Sequence, residues 1–451
     1  MDLKDKKIQS GALGVLFLAV FIDLLEFGIV VPLLPFWTTN LGATPFIYGV
    51  LASAYSFMSF AFAPIWGKLS DRRGRRPVIL SGLVGTVIGL SLLVLSAVIF
   101  TESLMLLFLS RIVGGMFTAA TLPTSQAYIA DTTTGKDRAK GFGLIGAAFG
   151  LGFALGPGIG GILSLFGGYA APVLFATILA IINLAAAIKF LPESLTKEVR
   201  DQRTAFRDSI KETAEIGLVK TIGSNPLILL LILVFAGISL AFSGMQATLA
   251  LLGAARFGLN ESLTGVIFFV VGIISVITQG GVIRPLSNRL PDSILIAVGL
   301  FFMTIAFIGL STVTSLLEMT IWIAPLAFGS SIANPTLGAL LSKKAPKEKS
   351  GALLGLNQGV GSFMRIGGPL AATALFEIDV AFPYYLGAII LAIGFIFGLA
   401  LITLARERIP EIEGLPCLNC GNKLQEGIAI CGRCGTMREM EKLVKEIDSR
   451  V

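Results

Sequence analysis

The chain has 451 residues, of which 54% are hydrophobic and only 14% are charged. A soluble domain carries about 25% charged residues, so this composition excludes an ordinary soluble protein and indicates lipid as the solvent. The formal net charge of +7 would suit a nucleic-acid-binding protein, but the Lys and Arg residues stand in short stretches between long apolar runs. We therefore expect a lipid bilayer with an anionic surface, and no nucleic acid, as the partner of these charges.

The apolar runs predict how often the chain crosses the bilayer. A helix needs about 20 apolar residues to cross a hydrocarbon core about 30 Å thick. Runs of this length lie at 11–37, 46–66, 77–99, 103–129, 139–165, 170–191, 226–252, 262–283, 293–313, 317–341, 350–376 and 381–405. They predict an all-α membrane protein with twelve transmembrane helices.

A polar stretch at 193–225 divides the predicted helices into two sets of six. Its charges alternate in sign, so we predict a cytoplasmic linker between an N-terminal bundle at 1–192 and a C-terminal bundle at 226–405. Residues 406–451 follow as a cytosolic tail. Two six-helix halves are typical of secondary transporters, whose substrate site lies between the halves near the bilayer midplane.

The Lys and Arg residues between the helices predict the orientation of the chain. One set of connections contains nearly all of them: Lys4, Lys6, Lys7, Lys68, Arg72, Arg73, Arg75, Arg76, Lys136, Arg138, Lys140, Arg284, Arg289, Lys343, Lys344, Lys347 and Lys349. The opposite set contains Arg256 and otherwise only acidic or neutral residues, such as Glu102 and Glu318. Because positively charged loops stay on the inner side, we predict a multi-pass protein of the cell membrane with both termini in the cytoplasm.

The first predicted helix contains two acidic residues, Asp23 and Glu26, and the fourth contains Arg111. A charge at the centre of a bilayer costs at least about 2.5 kcal/mol, so each of these residues needs a partner or a water-lined cavity. Asp23 and Glu26 are three residues apart and share one helix face. The chain contains no His, so we predict Asp23 as the protonation site, with Arg111 tuning it and Glu26 as a second or alternative carrier. A structural salt bridge with no part in turnover is the other interpretation.

The loop between the second and third helices has the pattern Gly-x-x-x-Asp-Arg-x-Gly-Arg-Arg. Its residues are Gly67, Asp71, Arg72, Gly74, Arg75 and Arg76. Glycine favours a tight turn here, and the pattern resembles the signature loop of the major facilitator superfamily. The resemblance implies the facilitator fold of two six-helix bundles, a monomer, and a cytoplasmic latch that favours the outward-facing state. We expect Asp131 and Arg138 to join this latch or to form a solvated pair.

The fifth helix ends in Gly-Pro-x-x-Gly-Gly. Small residues at every fourth position would let another helix approach closely, and the residues concerned are Gly152, Gly156, Pro157, Gly160 and Gly161. This ending resembles the motif of drug:proton antiporters within the superfamily, and Asp23 ahead of 28–35 resembles the first helix of tetracycline and multidrug exporters. The resemblance implies proton-coupled efflux of lipophilic or drug-like small molecules. Proton-linked uptake of a small metabolite stays open.

Polar side chains in the second half are candidates for the substrate cavity: Gln246, Asn334, Asn357 and Gln358. Each is equally well explained as an interhelical hydrogen bond worth less than about 1 kcal/mol. Arg365 has no evident acidic partner in its own half, and the sequence indicates no role for it.

All four cysteines lie in the tail, as two Cys-x-x-Cys pairs: Cys417, Cys420, Cys431 and Cys434. Two such pairs suit tetrahedral structural zinc and leave no open position for catalysis, so we predict a zinc ribbon at about 415–436. It would dock a protein partner, sense zinc or cap the tail. A non-transporting sensor that signals through the ribbon is therefore a further alternative. An enzyme is not expected, because there is no His, no nucleophile with a base and no open metal site.

Overall fold

The computed structural model describes residues 3–100, 103–133, 135–195, 223, 225–346 and 350–404. Most of the predicted linker at 193–225 and the whole predicted zinc ribbon lie outside these residues.

The first half of the described chain is helical throughout. Its helices are α1 (Leu3–Val30), α2 (Leu34–Asn40), α3 (Pro45–Arg73), α4 (Arg75–Val98), α5 (Leu104–Thr132), α6 (Gly135–Gly167) and α7 (Ala170–Phe190). The first predicted span is divided into α1 and α2. Pro32 and Pro35 explain the break, because proline has no backbone N–H and cannot continue the hydrogen-bond ladder.

The second half repeats the pattern. Its helices are α8 (Pro226–Phe257), α9 (Glu261–Ile277), α10 (Ile283–Ser287), α11 (Asp292–Thr312), α12 (Leu316–Lys344), α13 (Ser350–Ile378) and α14 (Phe382–Leu404). A π-helical turn at Thr278–Val282 joins α9 to α10.

Eleven helical segments of the described chain are long and apolar enough to cross a membrane. Helix α13 has 29 residues but is not among them, because Asn357, Gln358 and Arg365 reduce its hydropathy. The protein therefore has about eleven to twelve membrane-spanning helices. This agrees with the predicted all-α fold, and α13 accounts for the difference from twelve.

A buried apolar cluster joins the helices of the first half around the hydroxyl of Tyr128, which donates to the Pro192 carbonyl at 3.0 Å. The cluster consists of Leu16, Val20, Ile79, Leu83, Tyr128, Ile129, Ile145, Ala148, Ala187 and Leu191. It draws side chains from α1, α4, α5, α6 and α7, and so packs these five helices together.

The two halves meet along two antiparallel helix pairs. In the first pair, the Ser53 hydroxyl of α3 donates to the Ile366 carbonyl of α13 at 2.8 Å, and the Phe46 amide donates to Glu377 at 2.9 Å. In the second pair, the hydroxyls of Ser164 on α6 and Ser262 on α9 lie 2.8 Å apart. All these contacts lie towards the end of the bundle opposite the basic α3–α4 loop, so the structure is closed at that end.

Candidate functional site

A small cavity lies inside the first half. Seven of the side chains that line it can carry charge or donate hydrogen bonds: Asp23 and Glu26 from α1, Tyr55 from α3, Thr86 from α4, and Ser110, Arg111 and Thr118 from α5. The structure therefore brings together the three ionisable residues that the sequence nominated. It adds four that the sequence did not single out, Tyr55, Thr86, Ser110 and Thr118.

Asp23 has one clear hydrogen-bond partner. Its side chain is only 8% exposed, and its Oδ1 accepts a hydrogen bond from the Thr86 hydroxyl at 3.1 Å. This contact holds the carboxyl group against α4, on the wall of the cavity.

Glu26 is buried more completely and has fewer contacts. It is 2% exposed, and within the described part of the chain neither of its carboxylate oxygens has a hydrogen-bond partner. A bare carboxylate charge is very costly in such a place, whereas a protonated carboxyl group is tolerated. Glu26 is thus placed to hold a proton.

Arg111 is also buried, at 6% exposed. Its guanidinium carbon lies 5.4 Å from the centroid of the Tyr55 ring, a cation–π contact. Among the described residues, Arg111 forms no ion pair with Asp23 or Glu26, and its Nε has no hydrogen-bond partner. The permanent salt bridge considered from the sequence is therefore absent from this structure, and the roles predicted for the three residues stay predictions.

The signature loop forms a compact ionic cluster at the basic end. The Arg75 guanidinium binds Asp71 at 2.7 Å and Asp131 at 2.8 Å, and it also donates to the Ser70 hydroxyl at 2.9 Å. The turn itself is at Gly74, whose φ of 106° favours glycine.

Two details of the predicted latch differ in the structure. Gly67 does not lie in a turn, because α3 continues as a helix through Arg73. Arg72 is exposed at the surface. Of the predicted pair Asp131 and Arg138, the first joins the cluster, while the side chain of Arg138 lies outside the described part of the chain.

Glu193 is a further member of this cluster that the sequence analysis assigned to the linker. Its Oε1 accepts from the Arg75 amide at 2.9 Å, and its Oε2 accepts from the Arg76 amide at 3.2 Å. A carboxylate at this place satisfies free N–H groups at the start of α4 and complements the helix dipole. The sequence feature that could have identified Glu193 is its position, because it is an acidic residue just after the sixth apolar run.

The glycine motif of α6 faces two neighbours. A Cβ on Gly156 would lie 2.6 Å from the Leu25 carbonyl oxygen of α1, and one on Gly161 would lie 2.8 Å from the Ser262 carbonyl oxygen of α9. Gly152 and Gly160 likewise contact α1, and Pro157 lies inside the uninterrupted α6. The motif therefore lets α6 pack closely on both α1 and the other half.

The polar candidates of the second half do not line the cavity of Asp23 and Glu26. The Asn334 amide donates to the Ser330 carbonyl at 3.1 Å, which is a bond within its own helix. Asn357 is buried with its Oδ1 unpartnered among the described residues, Gln246 is half-buried and Gln358 is exposed.

Comparison with known proteins agrees with this architecture. Residues 16–369 match the family model described as Major Facilitator Superfamily. The chain is 31% identical to the tetracycline resistance protein, class C, of Escherichia coli, over 83% of this chain and 91% of that protein. It is 27% identical to multidrug resistance protein 2 of Bacillus subtilis, over 85% and 92% of the two chains. The crystal structure of the human organic anion transporter MFSD10 superposes with a TM-score of 0.63 at 24% identity, over 86% of this chain and 99% of that one.

These matches define a membrane transporter with the facilitator fold. The chain belongs to the major facilitator superfamily. The resemblance inferred from the α3–α4 loop is thereby confirmed.

Proposed function

We propose that this protein is a proton-coupled exporter of lipophilic or drug-like small molecules that works by alternating access. The observation that carries the proposal is the buried acid pair Asp23 and Glu26, which lines the cavity of the first half. Among the described residues, the carboxylate of Glu26 has no hydrogen-bond partner. The names of the tetracycline and multidrug resistance relatives support the export direction and the substrate class.

In this proposal Glu26 and Asp23 hold the transported proton. A proton that enters from outside neutralises the acid pair, and the neutral pair is stable in the closed first half. Once the cytoplasmic end is open, water takes up the proton, and the carboxylate that is left attracts the Arg111 guanidinium away from Tyr55. This exchange of partners links the proton to the packing of α1, α3 and α5.

The gates complete the cycle. In the predicted orientation, with the basic loops in the cytoplasm, the two helix pairs that hold Ser53 and Ser164 close the outer end. We therefore assign the structure to an inward-facing state that has not yet released its proton. Rocking of one half on the other around the midplane would then open the outer end. The cluster of Arg75, Asp71 and Asp131 keeps the cytoplasmic ends of α3, α4 and α5 together during this movement.

The test uses the full-length protein in liposomes with an imposed pH gradient, an internal pH dye, and a panel of drug-like compounds that includes tetracycline, a lipophilic cation and a lipophilic anion. We expect substrate-triggered proton flux in the wild type and its loss in Glu26→Gln and Asp23→Asn. Glu318→Gln is the matched control, because Glu318 is an exposed acid at the start of α12. Flux in the wild type that survives both cavity substitutions would refute this proton site.

The same assay separates the alternatives. Proton-linked uptake would show substrate and proton moving in the same direction. A non-transporting sensor would show no flux with any compound, and its response would depend on the four tail cysteines. We also propose that these cysteines hold a structural zinc ion, on the ground of their two Cys-x-x-Cys pairs.

A further inference from the structure

Arg365 lies near the middle of α13, the helix of the second half that packs against α3 of the first half. It is about 22 Å along α13 from Ser350 and about 20 Å from Ile378, at 1.5 Å per residue. A guanidinium near the midplane of the bilayer is stable only beside a counter-charge or in a water-filled cavity.

The neighbours of α13 show which way Arg365 faces. Next to it in sequence, the Ile366 carbonyl accepts from Ser53 of α3, and the Met364 carbonyl accepts from Ser243 of α8 at 3.3 Å. Leu356 is exposed, and it precedes Arg365 by nine residues, which is two and a half helical turns, so the two side chains are on opposite faces of α13. Arg365 is on the face between the sides that contact α3 and α8, and we assign this face to the pathway between the two halves.

The hydrogen-bond donors of Arg365 are mostly unused. One Nη donates to the Ser362 hydroxyl at 2.9 Å, and the side chain is exposed. Within the described chain Arg365 has no acidic partner, whereas Arg75 binds two carboxylates and Lys343 binds Asp292 at 2.6 Å. Gln358 is exposed two turns earlier on the same face and adds an amide donor.

We infer that Arg365 binds an anionic group of the substrate, so that the transported compounds are amphipathic molecules with a carboxylate or a similar oxyanion. A guanidinium presents paired donors that match a carboxylate in bidentate geometry. The Ser362 hydroxyl accepts from the guanidinium and holds it in place. This inference rests on the proposed transport function and names its substrate class.

The test compares three fluorescent probes with one skeleton: pyrenebutyrate, its neutral methyl ester and the corresponding trimethylammonium cation. Binding to the purified full-length protein is measured by fluorescence anisotropy. We expect the wild type to bind the anion about tenfold more tightly than the ester, as a charge-assisted bidentate contact allows.

The substitution Arg365→Gln should remove this preference and leave the affinity for the ester unchanged, and Arg365→Lys should restore part of it. Arg289→Gln, which removes an exposed Arg outside the membrane helices, is the matched control and should behave as the wild type. An unchanged preference for the anion in Arg365→Gln, or no preference for the anion in the wild type, would overturn the inference.

The proton-flux assay with the same probes distinguishes this inference from the proposed function. Flux driven by the cation and not by the anion would leave proton-coupled transport standing and refute the anion site. Arg365-dependent binding of the anion with no proton flux from any probe would support the anion site and refute coupled transport.

Discussion

Arg111 packs over the ring of Tyr55, with 5.4 Å between the guanidinium carbon and the ring centroid, although two carboxyl groups line the same cavity. The cation is thus held by an aromatic face and is free of both acids among the described residues. A cation–π contact of this kind is worth about 0.5–2 kcal/mol, which is weak enough to be exchanged for an ion pair when an acid loses its proton.

The first prediction concerns this contact. Replacing Tyr55 with Leu removes the aromatic face, and we expect proton-coupled transport to fall about fivefold, because the loss is about 1 kcal/mol. Tyr55→Phe keeps the ring and should retain most of the activity. Initial rates of substrate-driven proton flux provide the measurement, and equal rates in the Leu and Phe variants would show that the ring face has no role.

The close packing of α1 on α6 predicts that a larger side chain at one glycine of α6 lowers the stability of the protein. Gly156→Val should lower the free energy of unfolding by about 1–3 kcal/mol, because a Cβ there meets the Leu25 carbonyl, which cannot move alone. Gly150→Val is the matched control on the same helix, since a Cβ at Gly150 meets nothing within 4 Å. Thermal unfolding in detergent measures both variants, and equal melting temperatures would contradict the packing described.

The outer gate predicts a cross-link. Ser164 and Ser262 have hydroxyl oxygens 2.8 Å apart, so the double substitution Ser164→Cys and Ser262→Cys should form a disulfide under mild oxidation. We expect transport to stop on oxidation and to return on reduction, since the proposed alternating access requires this end of the bundle to open in each cycle. Each single variant should be insensitive to the oxidant. Full transport by the cross-linked protein would show that α6 and α9 do not separate.

Glu193 predicts a contribution of the loop after α7 to the stability of the first half. Glu193→Gln removes the charge that faces the N–H groups of Arg75 and Arg76. We expect a loss of about 1 kcal/mol in the free energy of unfolding, the scale of a helix-dipole interaction. Glu318→Gln provides the comparison, because Glu318 is also an exposed acid and accepts from Thr314 at the start of its own helix. A smaller loss in Glu193→Gln than in Glu318→Gln would argue against a structural role.

The tail predicts bound metal. Four cysteines in two Cys-x-x-Cys pairs should hold about one zinc ion per chain, measured by elemental analysis of the purified protein. The combined substitution Cys417→Ser and Cys420→Ser should abolish zinc binding and leave proton-coupled transport intact. Loss of transport in this variant would connect the ribbon to the transport cycle, and a zinc-free wild type would refute the ribbon.

The sequence by itself determined the class of the protein and the main candidates for its chemistry. Length and continuity of the apolar runs predicted the helices, because crossing a bilayer is decided by the hydrophobicity of about 20 adjacent residues. Asp23, Glu26 and Arg111 were identified as candidates because charged residues are rare inside those runs. An intramembrane charge is costly wherever it is placed, so it is retained only where it has a role.

Only the tertiary structure decided how these residues are paired. Thr86 donates to Asp23 across 63 positions and Glu193 caps α4 across 118, and no local pattern carries information about such distant partners. The same holds for Arg111, which contacts an aromatic ring and not the acid that the sequence analysis paired with it. Contacts of this kind depend on the rotation and closeness of packed helices, which the small residues of α6 set through backbone contacts.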